Sequence, residues 1–589
     1  MTAVPPFDRR FFASGQAWSR IGSGGLGGKA EGLLRIGTLL QDRFGGSVGE
    51  IRVSIPASVI VGTDVFHAFV EWNRLKDLAG SDEPDDRVAH AFLQGELPEE
   101  VLDDLRGLVE GVHSPLAIRS SSLLEDTLAH PFAGVYETKM IPNNQPTPEE
   151  RYQRLVEAVK LVFASTYFAC ARDYRRAIGV EDRREGMAVM IQRVVGRRFG
   201  DRFYPHVSVV GRSFNYYPIH PAAPGDGVVS LALGLGKTIV DGGRCWSYSP
   251  RHPQAPPPFA STRERMQGTQ TRFWAVNMAR PEALDPLVGT EYLVQGTLAD
   301  AERDRTLDLL ASTYDADSDR MRPGTARDGP KVLDFQPILA GQQPLNEAVL
   351  EIMDLCEEAL GCDAEIELAL SLPGPGDSPE AEGGQNGVAR MGVVQVRPMS
   401  APREEVEIDP DELRGEGVLL ASRQAMGNGR LEGIRDVIYV RPDAFEMTAT
   451  RSIAGDIDAW NRALMAESRP YLLIGFGRWG SSDPWLGVPV QWSQVAGARI
   501  LVEATLPSVR IEPSQGTHFF HNLTSLGAAW MAVGPGAPSP VDWEWLDGLG
   551  AVAETERLRH VRLPGALDVR VDGRSSTGLI RKGPGRPGA

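Results

Sequence analysis

Three sets of residues in this sequence combine types and spacings suited to phosphate and divalent-cation chemistry. The first is Gly24-Gly25-Leu26-Gly27-Gly28-Lys29, a glycine-rich turn closing on a lysine. Such a turn presents backbone N–H groups to an anion, and the ammonium at its end is placed to meet phosphate. It is not a P-loop, because Ser23 stands where that pattern needs its first glycine and Ala30 where a hydroxyl residue should follow the lysine. Gly236-Lys237-Thr238 fails likewise, with Leu231 in the first-glycine position. Gly25-x-Gly27-x-x-Ala30 satisfies a loose dinucleotide fingerprint, but no strand precedes it.

The second set is Arg119-Ser120-Ser121-Ser122, at the end of the apolar run Leu116-Ala117-Ile118. An arginine there can clamp phosphate oxygens through two donors, and the serines add hydroxyl donors. The plainer alternative pairs Arg119 with Glu125 or Asp126. A little further on, Pro131-Phe132-Ala133-Gly134 could form a lid, Gly134 letting backbone approach a ligand. The third set is Glu365-Ile366-Glu367 with Gln395-Val396-Arg397. Side chains alternate along a strand, so each pair shares one face, and hard oxygen donors from Glu and Gln suit Mg²⁺. The alternative is a solvated strand face.

These residues need elements to position them. After Lys29, the spacing of Leu33, Leu34, Ile36, Leu39 and Leu40 predicts a helix. Val53–Pro56 and Val59–Val61 read as strands, followed by a helix around 66–78. Residues 80–114 read as polar, peripheral helices. The strongest helical pattern spans 151–178, with Leu155, Val159, Val162 and Phe163 on one face. Met187–Val195 is expected to pair with Val207–Val210, ahead of a strand at 227–233. A helix at 346–360 precedes strands 365–370 and 393–396, which flank the flexible insert PGPGDSPEAEGGQNG.

Composition narrows the function classes. A net charge of −17 argues against a nucleic-acid or anionic-membrane binder, both of which need a positive field, but leaves room for a nucleotide site built from local cations. No run approaches the roughly 18 apolar residues of a membrane span, and the first residues, MTAVPPFDRRFFASG, have no signal-peptide pattern. The four cysteines, Cys170, Cys245, Cys356 and Cys362, form no C-x-x-C pair, so a cytoplasmic protein with reduced structural thiols is expected.

Gly-Gly-Lys29, the Ile55-Pro56 strand and its helix, Ala-Ile-Arg119-Ser-Ser, Phe132-Ala-Gly134, Gly234-Leu-Gly236, Glu365-Ile-Glu367 and Gln395-Val-Arg397-Pro398 occur in one order. That order resembles the N-terminal nucleotide-binding domain of the phosphoenolpyruvate synthase and pyruvate phosphate dikinase family, over about residues 20–400. The resemblance implies a mixed α/β, ATP-grasp type head with ATP and Mg²⁺ as cofactors. It implies that Lys29, Arg119 and Arg397 contact phosphates and act in catalysis. It also assigns Ser120, Gly134, Met190, Gln192, Glu365 and Gln395 to the nucleotide, the Met190–Val194 strand bordering the adenine, and Glu367 with Gln395 to magnesium.

The sequence departs from that family at several points. Glu365 stands for its aspartate, Leu368 for its tryptophan, and Lys237 for the glutamate after Gly-Leu-Gly. Residues 401–589 carry neither the family's phosphohistidine signature nor enough chain for a pyruvate-binding barrel of about 200–250 residues. A complete pyruvate-to-phosphoenolpyruvate enzyme is therefore not expected on this chain. In its place come Gly477-Arg478-Trp479-Gly480-Ser481-Ser482, which could bind a phosphorylated substrate, and Thr517-His518-Phe519-Phe520-His521. His518 could accept a phosphoryl group or simply pack beside its aromatic neighbours; His518 and His521 make a poor metal pair.

The expected architecture is an ATP-grasp head in two subdomains, 1–200 and 201–400, an acidic linker 401–416, a smaller α/β domain 417–575 and a disordered tail 576–589. The expected function is an ATP-dependent phosphotransferase with an unidentified acceptor, no nucleic-acid or membrane partner, and dikinase or simple kinase stoichiometry. The alternatives are an ATP-binding regulatory protein without turnover and, more distantly, an ATP-grasp ligase.

Overall fold

The computed structural model describes residues 4–125, 134–177, 186–215, 218, 221–255, 259, 261–279, 289–342, 344–373, 388–399, 406–481, 483, 485–506, 528–573 and 575–583. The chain divides into two units. The first comprises residues 1–213, 226–239 and 244–398, and the second 214–225, 240–243 and 399–589.

In the first unit the elements that matter are β1 (Trp18–Ile21), α1 (Gly28–Phe44), β2 (Ser47–Val48), β3 (Ile51–Ser54), β4 (Ser58–Val61), α2 (Thr63–Trp72), β5 (Leu116–Ser122), β6 (Thr138–Ile141), α3 (Pro148–Ser165) and β7 (Met187–Arg193). They are followed by β8 (Val207–Arg212), β9 (Val228–Ala232), β10 (Trp246–Tyr248), α4 (Leu345–Leu360), β11 (Ala364–Ser371) and β12 (Ala389–Pro398). Two sheets result, one ordered β1-β4-β7-β5-β6 and the other β10-β9-β8-β11-β12-β3-β2. Leu33, Ile36 and Leu40 of α1 enter the same core cluster as Ile51 and Val53 of β3 and Ile352 of α4. α3 starts at a complete capping box, Thr147 with Glu150, and Pro148 at its first turn.

Several expectations change here. β7 does not pair with β8; it lies between β4 and β5, while β8 lies between β9 and β11. Both β7 and β8 are apolar runs, and such runs do not specify their partners. A boundary at 200 does not hold either, because β3 runs parallel to β12 and ties residues 51–54 to the sheet formed by residues 207–398. Among the described residues, no helix is long and apolar enough to cross a membrane.

In the second unit we name β13 (Val418–Ser422), β14 (Ala425–Met426), β15 (Gly429–Leu431), β16 (Asp436–Val440), α5 (Thr450–Ala466), β17 (Tyr471–Phe476), β18 (Ala498–Ala504), β19 (Ala529–Val533), β20 (Ala551–Glu554), β21 (Leu558–Arg562), β22 (Asp568–Asp572) and β23 (Thr577–Arg581). β16, β17, β18 and β19 pair in parallel, with α5 as the connection between the first two. β16, β17 and β19 are buried throughout, the pattern of parallel strands covered on both faces. A second sheet has the order β13-β23-β22-β15.

The expected tail and linker are also corrected. Thr577–Arg581 is a strand paired with both β13 and β22, and Lys582 Nζ donates to Asp542 Oδ2 at 2.6 Å. In the expected linker, Leu413 is buried and Glu412 pairs with Arg570 and Arg581. Short segments rich in glycine and charge look unstructured when read alone, and here their pairing partners lie far along the chain.

Asp436 opens β16 as a buried carboxylate. His560 Nε2 lies 2.8 Å from it, Arg469 Nε donates to it at 3.1 Å, and Arg562 Nη1 is 3.7 Å away. Burial alone raises its pKa, but the hydrogen bonds from His560 and Arg469 and the charge of Arg469 outweigh burial and hold it below the ordinary aspartate value. A depressed folded-state pKa contributes stability above the unfolded value of about 3.9, lost as pH falls through the folded pKa. Asp436→Asn is therefore expected to lower stability at pH 7 and to narrow its gap from the parent protein below about pH 4. Urea unfolding at stepped pH reads this, and a gap unchanged down to the acid transition would contradict it.

Candidate functional site

The glycine turn and the Arg-Ser-Ser strand form one locked structure. Gly27 caps α1 with φ +78° and has no side chain to satisfy the helix's first N–H groups. Ser121 of β5 supplies that acceptor: its Oγ receives Ala30 N–H at 3.1 Å and donates to the Leu26 carbonyl at 2.8 Å. A Cβ on Gly27 would lie 1.7 Å from the Ser121 carbonyl oxygen, and one on Gly28 1.9 Å from that of Glu125. Only glycine lets the two backbones approach so closely. At the front of the turn, Asp64 accepts Ser23 N–H at 2.8 Å, and Thr63 Oγ1 accepts Gly25 N–H at 3.0 Å.

Lys29, on the first turn of α1, is 6% exposed and faces Glu125, which is 3% exposed. Its Nζ lies 3.2 Å from Glu125 Oε1 and 3.5 Å from Ser120 Oγ. Glu125 thus pairs with Lys29 and not with Arg119, and Asp126, the other partner the sequence offered for Arg119, lies outside the described residues.

Arg119 points the other way, toward the second sheet. It donates to the Val394 carbonyl at 2.9 Å and to Gln395 Oε1 at 2.6 Å, with Glu367 Oε2 at 3.7 Å and Gln192 Oε1 at 3.5 Å. β11 and β12 pair with Glu365 opposite Arg397 and Glu367 opposite Gln395. The two strands pair as antiparallel neighbours, and the Glu365–Arg397 and Glu367–Gln395 pairs share one face. β8 extends the row by placing Arg212 opposite Glu365 on its other side. Arg212 Nε donates to Glu365 Oε2 at 2.5 Å, and Arg397 Nε donates to Glu365 Oε1 at 2.6 Å. Arg397 also reaches Glu367 Oε1 at 3.3 Å. Glu365 is therefore a buried anion shared by two arginines that flank it on adjacent strands.

The structure thus forms two bonded sets, Lys29 with Ser120 and Glu125 in one, and Arg119, Gln192, Glu365, Glu367, Gln395 and Arg397 in the other, with Arg119 and Ser120 adjacent on β5. Met190 sits opposite both Ile60 and Arg119, fully buried in the core. Gly134 is exposed with φ +64°; Phe132 and Ala133 lie outside the described residues. Lys237 places Nζ 5.9 Å from the centroid of the Trp274 ring, and its charge acts on the half-buried Glu137. Burial raises the Glu137 pKa, and Lys139 and Lys237 offset part of that rise. His518 and His521 lie outside the described residues. In the second unit Arg478 Nη1 donates to the Gly242 carbonyl at 2.5 Å and Ser481 Oγ to the Asp483 carbonyl at 3.1 Å.

Sequence reasoning missed Arg212 and Glu125. Arg212 carries no local signal, since its partner Glu365 is met only through strand pairing. Glu125 had a weak one, its place shortly after Arg-Ser-Ser.

Residues 24–412 match the family model for the pyruvate phosphate dikinase AMP/ATP-binding domain, well over half of the chain. The chain belongs to that family.

Two curated relatives match more locally. A rifampicin phosphotransferase of Streptomyces sviceus is 29% identical over 214 residues, 33% of this chain and 22% of the relative. A phosphoenolpyruvate synthase of Aeropyrum pernix is 26% identical over 240 residues, 37% of this chain and 25% of the relative. The matched stretch thus spans about a quarter or less of each relative's length. The head of this pyruvate phosphate dikinase-type chain is the ATP-grasp type.

The residues present suit the family's nucleotide. Lys29 brings an ammonium group and Arg119 and Arg397 guanidinium groups, the kinds of donor that phosphates take. Glu367, with 16% of its side chain exposed, is the more open of the two strand carboxylates, Glu365 being sealed at 1%. Among the described residues, no group of three or more His, Cys, Asp or Glu could hold a metal alone. Mg²⁺ needs only one or two carboxylates and completes its shell with water and phosphate oxygens, so Glu367 offers a ligand of the right kind.

Proposed function

We propose that this protein is an ATP-dependent phosphotransferase that binds Mg-ATP between the sheet carrying Arg119 and the sheet carrying Glu367 and Arg397. The observation carrying this reading is the convergence of Arg119 and Arg397 with Glu367 and Gln395, Arg119 and Gln395 lying 276 residues apart in sequence, with Lys29 reaching Ser120, the neighbour of Arg119 on β5. Family membership supports it, as does a relative named as a phosphotransferase. Phosphoryl transfer is mainly positioning and charge neutralisation, the work such residues can do. Lys29 and Arg119 hold the phosphates, and Arg397, fixed by Glu365, orients Glu367. Glu367, with the Gln395 side chain, would hold Mg²⁺, which supplies charge neutralisation when bound. The second unit accepts or delivers the phosphoryl group.

Incubation with ATP and Mg²⁺, with candidate acceptors, should yield AMP or ADP. Lys29→Ala and Arg119→Ala should each weaken ATP binding by at least about tenfold, since hydrogen bonds to charged groups contribute about 1.5–3 kcal/mol. Binding unchanged in both variants would sink the reading.

A second reading, ATP binding without turnover, draws on two observations. Arg119 already holds Gln395 Oε1, and Lys237 reverses the charge found after Gly-Leu-Gly in the synthases. Tight ATP binding with neither AMP nor ADP formed would favour it.

A further inference from the structure

The carboxylate of Glu125 sits where donors of three kinds converge. The ammonium of Lys29 reaches Oε1 at 3.2 Å, the hydroxyl of Ser120 donates to the same oxygen at 2.9 Å, and the backbone N–H of Ser122 donates to Oε2 at 2.8 Å. All four residues are buried. An ammonium, a hydroxyl and a main-chain N–H gathered on one anion are the components of a phosphate-binding nest. The backbone around it is fixed, because Gly27 and Gly28 pack directly on the carbonyls of Ser121 and Glu125. Here the chain's own carboxylate fills the nest. Glu125 also lies on the turn that leaves β5.

We propose that this nest is a phosphate subsite closed by Glu125 as an internal counter-anion, which an incoming phosphate group displaces from Lys29, Ser120 and Ser122. The inference rests on the reading of Lys29 as a phosphate contact. It adds that the ligand-free site is self-neutralised and that phosphate affinity is set by exchange of one anion for another. A carboxylate accepting from these donors gives the buried ammonium a counter-charge. It also taxes every anionic ligand, since the phosphate must replace contacts already made.

Titration calorimetry on the full chain with Mg²⁺ tests this, using ATP, adenosine and inorganic triphosphate as separate probes. Glu125→Gln keeps the side chain's size and one acceptor but removes its charge. It should bind ATP and inorganic triphosphate at least about tenfold more tightly than the parent, as expected when a unit charge a few ångströms from the ligand is deleted. Adenosine affinity should stay within about twofold. Adding Lys29→Met to Glu125→Gln should abolish the gain. ATP binding to the parent with no gain in Glu125→Gln overturns the displacement and leaves the nucleotide reading standing. A gain for inorganic triphosphate with no binding of ATP or adenosine supports the subsite and removes the nucleotide reading. Should Glu125→Gln fold poorly, Glu125→Ala, which needs no isosteric fit, carries the same expectation and is judged by the same outcomes.

Discussion

Replacing Glu365 by alanine should lower the unfolding free energy by about 3–5 kcal/mol, the cost typical of breaking a buried ion pair from one side. The variant would leave Arg212 and Arg397 buried on neighbouring strands with their common anion gone. Two cations so placed repel, and each loses its charge-assisted hydrogen bond. Denaturant unfolding checks the loss, and a value under about 1 kcal/mol would show that Glu367 or solvent replaces the anion. Arg212→Met in the Glu365→Ala background should recover part of the loss, because it removes one uncompensated charge, so the two changes should not be additive. Glu365→Asp, the acid of the related synthases, should keep more of the pairing than alanine.

The second large effect is expected at Gly27. Gly27→Ala would set a methyl group 1.7 Å from the Ser121 carbonyl oxygen in a residue with φ +78°. That contact is with backbone on both sides, so relief requires the turn and β5 to separate. We expect a loss of about 4 kcal/mol or more, in the range that marks a specific steric conflict, together with loss of the ATP affinity that depends on Lys29. Gly45→Ala is the internal control. Gly45 has φ +60° at the C-cap of α1 with nothing within 4 Å of its added Cβ, so only the left-handed backbone penalty of about 1 kcal/mol applies. Equal losses at the two glycines would mean that backbone conformation, and not close approach, explains Gly27.

How far the sequence carried these conclusions varied by residue. The α1 helix, β5 and the β11–β12 hairpin were legible because they are strongly patterned and local, and the shared face of Glu365 and Glu367 follows from the period of a strand. The difference between those two carboxylates was not legible. One is sealed and the other partly open because β8 brings Arg212 alongside Glu365, and the pairing of residues 153 positions apart has no local signature. The same limit hid the partner of Lys29. Glu125 and Arg119 lie close in sequence, but β5 sends Arg119 toward Gln395 and its following turn sends Glu125 toward α1. The basic C-terminal segment looked unstructured by composition, whereas β23 is held between two strands, one of them β13, which begins at Val418.

The cap that Ser121 lends to α1 has a kinetic consequence. The helix carrying Lys29 receives its first-turn acceptor from a strand 91 residues later in the chain. A segment ending near residue 45 can form helical turns but not the ordered entry that aims Lys29, and that entry must wait for a loop of this length to close. In a refolding experiment, amide protection at Ala30 should therefore appear with that of β5, after the middle of α1. Phosphate recognition would then be a late acquisition of the folding head, and a nascent chain lacking β5 would carry the glycine-lysine sequence without its grip.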